Sequence, residues 1–403
     1  MAHGETIDGS GFPLAFKMRQ GGDRSPLIAG ASGRDVFLAE ARQIGGHQKE
    51  CVVHEGGNGA KGAKGTAFRT VSDEGAQLKG TDLAPFPLGY YNAGLSADFA
   101  NRVIAIARAR AIPLNDLTID LHHRYSMTGS FFQGTGIGSA EPARIKVRVA
   151  SPATAAQIAA LVQDAGAASP ALATMRQPLE NTFALYVNGR RRQVTRLPAS
   201  MSPDAADPYV TYRAVPAPLE GAAAPRDLVY KSGQTTEGEF IYMAAETKGR
   251  VVIDVSGTCR LLDPAGLTET IVRLGFPRTS HFAIRSDERA GHDAAPSGLS
   301  LTTSGIVYCY ITQLLRYIEH QKLKIRGVRV VQASPYTLAG TPKAGWRGSA
   351  EPVDTHLFLN GEESDDAYET LMTVAARTCY LHAALGATLP PQIEVEHAEQ
   401  KAA

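Results

Sequence analysis

Two stretches decide how this chain is read: "FRTVSDEGAQLKGTDLAPFPLGYYNAGLSADF", Phe68 to Phe99, and "FAIRSDERAGHDAAPSGLSLTTSGIVYCY", Phe282 to Tyr310. Each runs Phe, Ser-Asp-Glu four residues on, then Gly, Asp, Ala-Pro, Leu, and a Gly followed by Leu or Ile. The first is three residues longer between Ser-Asp-Glu and Ala-Pro. From Ala84-Pro85 and Ala295-Pro296 onward the offset is 211, so Gly94-Leu95 falls on Gly305-Ile306. The same offset carries Leu117 and Ile119 of "LTIDL" onto Val328 and Val330, and "SPATAAQIAALVQDAGAASPAL" onto "ESDDAYETLMTVAARTCYLHAAL". A register held this long predicts a tandem duplication.

At 403 residues the chain exceeds what one core usually holds, so two domains are expected. The repeat divides it into a first module at 1–196, a linker at 197–227 and a second module at 228–403. The linker is rich in Pro and Ala and carries one candidate strand, "YVTYRAV". Alternating segments such as "GRVVIDVSG" and "KIRGVRVVQA" predict strands. "GIVYCYITQLLRYIEHQ" and "DDAYETLMTVAARTCYLHAAL" have the length and residues of helices. The fold class is therefore α+β, and the all-round apolar helix of each module is expected to pack centrally against its counterpart.

Composition removes several function classes. Basic and acidic residues number 41 and 40, which leaves no electrostatic footprint for nucleic acid. No stretch approaches the roughly 18 apolar residues of a membrane span, and the N-terminus lacks the basic and apolar regions of a signal peptide. Four cysteines do not make a disulfide framework. A soluble, cytoplasmic protein is expected, with neither a membrane nor a nucleic-acid partner. His122-His123 lies on a predicted strand with its imidazoles on opposite faces, and no Cys/His spacing suggests zinc, so neither a metal nor a cofactor is expected. "GGNGAKGAKG" (Gly56 to Gly65) reads as a loop and "GTGIG" (Gly134 to Gly138) as a turn. Arg190-Arg191-Arg192 after "NG" reads as a solvated hairpin end.

The sharpest chemical signal is Cys309, on the apolar helix of the second module. Free cysteine packs well as a small hydrophobe, which is the bland explanation. The internal comparison points elsewhere. The first module has Asp98 in place of Cys309, Ala168 in place of Cys379 and Val71 in place of Arg285. Three residue types suited to thiol chemistry are thus confined to one module. A guanidinium near a thiol favours the anion. Cys309 lies several residues into its helix, beyond the reach of the helix dipole, so activation falls to Arg285. If the two helices of the module pack side by side, Cys379 is the resolving thiol.

Other residues carry two readings each. Asp98 either pairs with Arg102 four residues on or serves as an acid/base in a divergent first site. Asp82, Asp293 and the two Ser-Asp-Glu turns read as turn formers. Tyr308 and Trp346 either line a pocket for an apolar substrate or pack in the core. Cys51 and Cys259 read as inert.

"FAIR" with Arg285, the Gly-Ile-x-x-Cys-Tyr helix at Cys309, and "ARTCYLHAAL" with Cys379 resemble the OsmC/Ohr family of small dimeric thiol peroxidases, over about 60–190 and 245–390. The resemblance implies two OsmC-like modules forming an intramolecular pseudo-dimer, with antiparallel sheets wrapped around paired central helices. It also implies a peroxidatic Cys309, a resolving Cys379 and a thiolate-stabilising Arg285 that together reduce organic hydroperoxides through a sulfenic acid and a disulfide. A small apolar substrate and a dithiol reductant, such as a dihydrolipoyl group, follow. The chain acts as a monomeric pseudo-dimer or a higher homo-oligomer. The family's Pro-Glu before the catalytic helix is missing from "APSGLSLTTSG", which leaves Glu288 or Asp287 to substitute for its acid. That departure keeps two alternatives open. One is a hydrolase or lyase with Cys309 as nucleophile and Asp98 as acid/base. The other is a non-catalytic, ligand-binding pseudo-dimer.

Overall fold

The computed structural model describes residues 6–19, 28, 34–56, 66–213, 216–220, 227–236, 251–289 and 294–399. Most of the "GGNGAKGAKG" stretch, and Asp293, lie outside the described residues.

One order of elements occurs twice. The first series has four strands, β1 (Ala15–Lys17), β2 (Arg34–Gly45), β3 (Gln48–His54) and β4 (Ala67–Ser72), followed by a long helix, α1 (Pro87–Ala109). It continues through β5 (Asp116–Thr128), β6 (Ile137–Ala140) and β7 (Arg144–Ser151) to α2 (Ala155–Ala168), α3 (Pro170–Ala173), β8 (Thr182–Val187) and β9 (Arg190–Arg192). A short helix, α4 (Tyr209–Arg213), stands where the sequence suggested a strand. There Tyr212 docks its hydroxyl on the Glu40 carbonyl and Thr211 bonds the Glu40 carboxylate, so contacts with β2 decide the local conformation.

The second series has β10 (Val229–Gln234), β11 (Val251–Leu261), β12 (Leu267–Leu274), β13 (Ser280–Asp287) and the long helix α5 (Gly298–Gln321). Then come β14 (Ile325–Thr341), β15 (Gly345–Ala350), β16 (Asp354–Gly361), α6 (Asp365–Thr378), α7 (Tyr380–Leu385) and β17 (Gln392–Glu399). The result is α+β, with two predominantly antiparallel sheets and seven α-helices among the described residues.

Each sheet draws strands from both series. The first runs β1-β4-β3-β2-β14-β16-β8-β9, with β15 on β14. The second runs β10-β13-β12-β11-β5-β7-β17, with β6 on β5. Among the described strands its parallel pairing is β7 with β17, and that of the first sheet is β16 with β8. Neither series completes a sheet by itself. The seams β2–β14 and β11–β5 are long antiparallel ladders, so the two series are joined by main-chain hydrogen bonds as well as by packing.

Between the sheets α1 and α5 lie against each other, buried on all sides but for their last turns. Proline at the first position starts α1, and Ser297 caps α5 by accepting the Ser300 amide. Their approach is backbone to backbone. A Cβ on Gly94 would lie 2.5 Å from the Thr302 amide nitrogen, and one on Gly305 would lie 2.6 Å from that of Tyr91. Only a residue without a side chain fits there. No helix among the described residues is long and apolar enough to cross a membrane.

The close approach makes a prediction. Gly94→Val or Gly305→Val forces backbone apart and is expected to destabilise the fold by about 3 kcal/mol, the upper end of the usual overpacking cost. Urea unfolding measures this; a midpoint within error of wild type would contradict the packing.

Candidate active site

Cys309 sits halfway along α5. Cys379 occupies the break between α6 and α7, where it is the last residue of one helix boundary and the first of the next, in extended conformation (φ −70°, ψ 115°). The two thiols are close enough for the Cys309 sulfur to act on Cys379, and they are not joined. Both are buried. Burial, and then the neighbouring Cys309 sulfur, push the Cys379 thiol well above the ordinary cysteine range.

Cys309 forms part of the wall of a cavity of about 290 Å³. Phe86 and Leu88 from the start of α1, with Ile253, Leu274 and Phe276 from the second series, make one side apolar. Glu74, Thr312, Gln313 and Arg316 make the other side polar, and Tyr380 closes the end near Cys379. The cavity is therefore built from both series.

Arg316 lies seven residues after Cys309, two turns along the same helix face. Its guanidinium stands 4.2 Å from the centre of the Phe131 ring and donates to Gln313 Oε1 at 2.9 Å. No carboxylate among the described residues lies within 4 Å of it. Burial is the largest effect on Arg316 and lowers its affinity for the proton, which the nearby Glu74 partly opposes. Glu74 accepts from the fully buried Lys49 Nζ at 2.9 Å and from the Thr312 hydroxyl at 2.5 Å. The Ser-Asp-Glu turn explains how Glu74 is held: Asp73 accepts the amides of Glu74, Thr81 and Leu83 and the Thr81 hydroxyl. Lys49 thus pairs with Glu74 beside the thiol, and Arg316 lines the same cavity without bonding that carboxylate.

The corresponding place on α1 is built differently. Asp98 is fully buried and accepts from Arg102 Nε at 3.0 Å, the Ser169 hydroxyl at 2.5 Å and the Ala171 amide at 3.1 Å. Arg102 also reaches Glu288 at 2.5 Å and lies over Trp346 at 5.5 Å. The helix spacing correctly suggested the Asp98–Arg102 pair, but the carboxylate does not reach solvent. Ser169, not Ala168, matches Cys379: α2 and α6 are both 14 residues long, and each ends on an extended residue that begins the next helix. The offset has fallen to 210 there. A hydrogen-bonded Asp98–Ser169 pair stands where the second series has two thiols.

Several expected site residues lie elsewhere. Arg285 is not among the residues lining the Cys309 cavity; its Nε donates to Glu269 Oε2 at 3.1 Å, and its guanidinium lies 5.7 Å from the Tyr230 ring. Strand alternation is the reason, since Phe282 and Ile284 turn inward and Arg285 therefore turns outward. Glu288 bonds Arg102 and the Gly298 amide, and Asp287 holds Arg289 and the Ala294 amide, so each serves its own loop or the α1 cluster. Tyr308 points about 100° away from Cys309 around the helix, donating to the Thr70 carbonyl at 2.7 Å in the core. Asp82 accepts from the Ser280 amide and hydroxyl, tying the two series together rather than its own turn. Cys51 and Cys259 are buried on strands, and burial raises both thiols, Cys259 to about 11. His122 pairs with Asp254 on the outer face, while His123 is buried beside Tyr125, as alternation predicted.

The sequence reading missed Arg316, Glu74, Lys49, Tyr380 and His382. The seven-residue spacing from Cys309 to Arg316 was visible in principle. The Glu74–Lys49 pair, between separate strands and helices, was not. A third group resembles a hydrolytic triad: Ser200, His356 and Asp354, all buried. Its geometry argues against that role. Ser200 Oγ and Asp354 Oδ2 both meet the same imidazole nitrogen, Nε2, at 3.3 and 3.2 Å, while Nδ1 faces Tyr186. A triad needs the acid and the nucleophile on opposite nitrogens.

No family model matches the chain, and no curated protein matches it. Among solved structures, an OsmC-like hydroperoxide resistance protein from Jannaschia sp. CCS1 is 22% identical over 30% of this chain and 77% of its own, with a TM-score of 0.22.

Two outcomes are expected. Asp98→Ala leaves Arg102 short of a buried counter-charge and should destabilise the fold by about 3 kcal/mol, read by urea unfolding; an unchanged midpoint would remove the cluster's structural role. Asp354 is raised by burial but pulled further the other way by hydrogen bonds from His356 and Ser202, so its carboxyl is held down at about 2. A depressed folded value stabilises above the unfolded value near 4 and fades as pH falls toward 2, a loss of about 2 kcal/mol. Asp354→Asn should flatten that part of the acid-stability curve, and an unaltered slope would contradict it.

Proposed function

We propose that this chain is a thiol-dependent peroxidase that reduces organic hydroperoxides at Cys309 and Cys379, built as a tandem pseudo-dimer with one thiol centre. The observation that carries the reading is the proximity of two free thiols, one of them on the wall of a half-apolar cavity that Arg316 also lines. The repeated element order and the exchange of equivalent strands between the sheets support the pseudo-dimer. Such an arrangement is what the resemblance to the OsmC/Ohr family implies. The Asp98–Ser169 pair supports a first centre that has become structural.

Lys49 bonds Glu74, and Arg316 lines the same cavity as Glu74 and Cys309, so positive charge stands near the reacting sulfur. In the first step the Cys309 thiolate attacks the terminal oxygen of ROOH. The S–O bond forms, the O–O bond breaks, and the alkoxide leaves as ROH after taking a proton. Sulfur loses two electrons to the peroxide and becomes a sulfenic acid. Arg316 is positioned to steady the charge moving onto the leaving oxygen. In the second step Cys379 displaces the hydroxide, giving a disulfide and water. A dithiol then restores both thiols and leaves as its own disulfide. The apolar side of the cavity suits the carbon skeleton of the substrate.

The test is consumption of cumene hydroperoxide with dihydrolipoic acid as reductant. Cys309→Ser should abolish turnover, and Cys379→Ser should allow a single Cys309 oxidation without catalysis. Arg316→Ala should cost about 10²-fold or more in kcat/KM, the order of a lost charge-stabilising donor, while Arg285→Ala stays within about twofold. Peroxide consumption that survives Cys309→Ser, or a reduced wild-type chain inert to every hydroperoxide tried, would end this reading.

A further inference from the structure

The closure step has an unplaced proton. Cys309–SOH and HS–Cys379 become a disulfide and water only if the Cys379 proton leaves its sulfur and reaches the departing hydroxide. The Cys379 thiol is protonated at rest, because burial and Cys309 hold it above the ordinary range. Its anion is the attacking species, so the proton needs an acceptor within reach.

His382 is placed to accept it. Three residues after Cys379 on α7, its Nδ1 lies 3.2 Å from Cys379 Sγ. The ring is held between Phe183 of β8 and Tyr310 of α5, with centroids 5.4 and 5.1 Å away. It is buried, and its Nε2 has no hydrogen-bond partner among the described residues. Nothing in that packing explains a polar ring there: the corresponding residue of the first series, beside Ser169, is Leu172. An imidazole occurs where the neighbour is a thiol, and a leucine where it is a hydroxyl.

We infer that His382 is the catalytic base of disulfide closure, taking the Cys379 proton at Nδ1 as the S–S bond forms and passing it to the hydroxide that leaves Cys309. This rests on the peroxidase reading above. The neutral ring then carries its resting proton on Nε2. The step balances: the Cys379 S–H bond and the Cys309 S–O bond break, the S–S bond and a water O–H bond form, and His382 ends neutral. No outside oxidant enters beyond the hydroperoxide that made the sulfenic acid. The titratable groups packed on the ring are Cys379 and Tyr310; Phe183 is apolar. Burial alone brings the imidazole down to about 4, so the ring is neutral through the physiological range and its Nδ1 is free to accept.

The experiment follows both steps in the full-length chain with cumene hydroperoxide, by stopped flow and quenched mass analysis. In wild type, closure should be independent of pH from about 5.5 to 8.5. In His382→Gln and His382→Asn the overall loss should fall on closure, at least about 10²-fold slower at pH 7, with sulfenic acid trapped by dimedone. Without the base, closure should also rise about tenfold per pH unit, because free thiolate must form first. A purely structural role would lower the rate at every pH and leave the variant's slope equal to that of wild type, which would overturn the inference. Closure in either variant at the wild-type rate and slope overturns the inference and leaves the peroxidase reading standing. So does a wild-type closure rate that itself rises tenfold per unit, a result that needs no variant to fold. Absence of any peroxide-driven disulfide in wild type would instead remove the reading beneath it.

Discussion

The structure depends on how closely α1 and α5 approach. Each helix is buried on nearly every side, and where they touch, glycine on one meets the main chain of the other. That contact sets the spacing between the sheets and aligns the two series. The strand ladders β2–β14 and β11–β5 then fix the same relation from outside. Neither half can relax independently, since removing either series would strip each sheet of central strands and leave long unpaired edges.

This exchange of strands also explains why the cavity belongs to both series. Glu74 comes from a loop after β4, and Arg316 and Cys309 come from α5. The reciprocal arrangement brings Glu288, from the loop after β13, onto Arg102 of α1. The two centres share a plan of helix, opposite loop and helix break, and differ in their side chains. On α5 a thiol, a second thiol and an arginine without a carboxylate partner among the described residues leave a cavity. On α1 a carboxylate, a hydroxyl and an arginine bonded to two acids satisfy one another. Buried ions closed in this way hold a conformation, and removing one partner is costly.

Much of this was legible in residues. The repeat from Phe68 and Phe282 located both long helices, and their all-round apolar character placed them in the middle. The expectation that Cys309 works with Cys379 rests on their confinement to one module. The choice of arginine did not survive, for a definite reason. Arg285 follows the inward-facing Ile284, and a one-residue step along a strand turns a side chain through to the opposite face. Arg316 needed no such step, because seven residues along a helix return to the same face. The Ser169–Cys379 correspondence was displaced by one residue, an error that a constant offset cannot detect and a helix boundary corrects.

By itself, the sequence determined the elements, their repetition and the presence of two thiols in one half, because periodicity, helix formers and turn residues act over short range. The tertiary structure decided which groups gather about the two thiols, directly or through Glu74. Lys49, Glu74, Arg316 and His382 come from four separate elements, and their meeting depends on strand exchange between halves. Charge interactions fall with distance in space rather than along the chain, so the electrostatics of Cys309 exist only once the two series are interleaved.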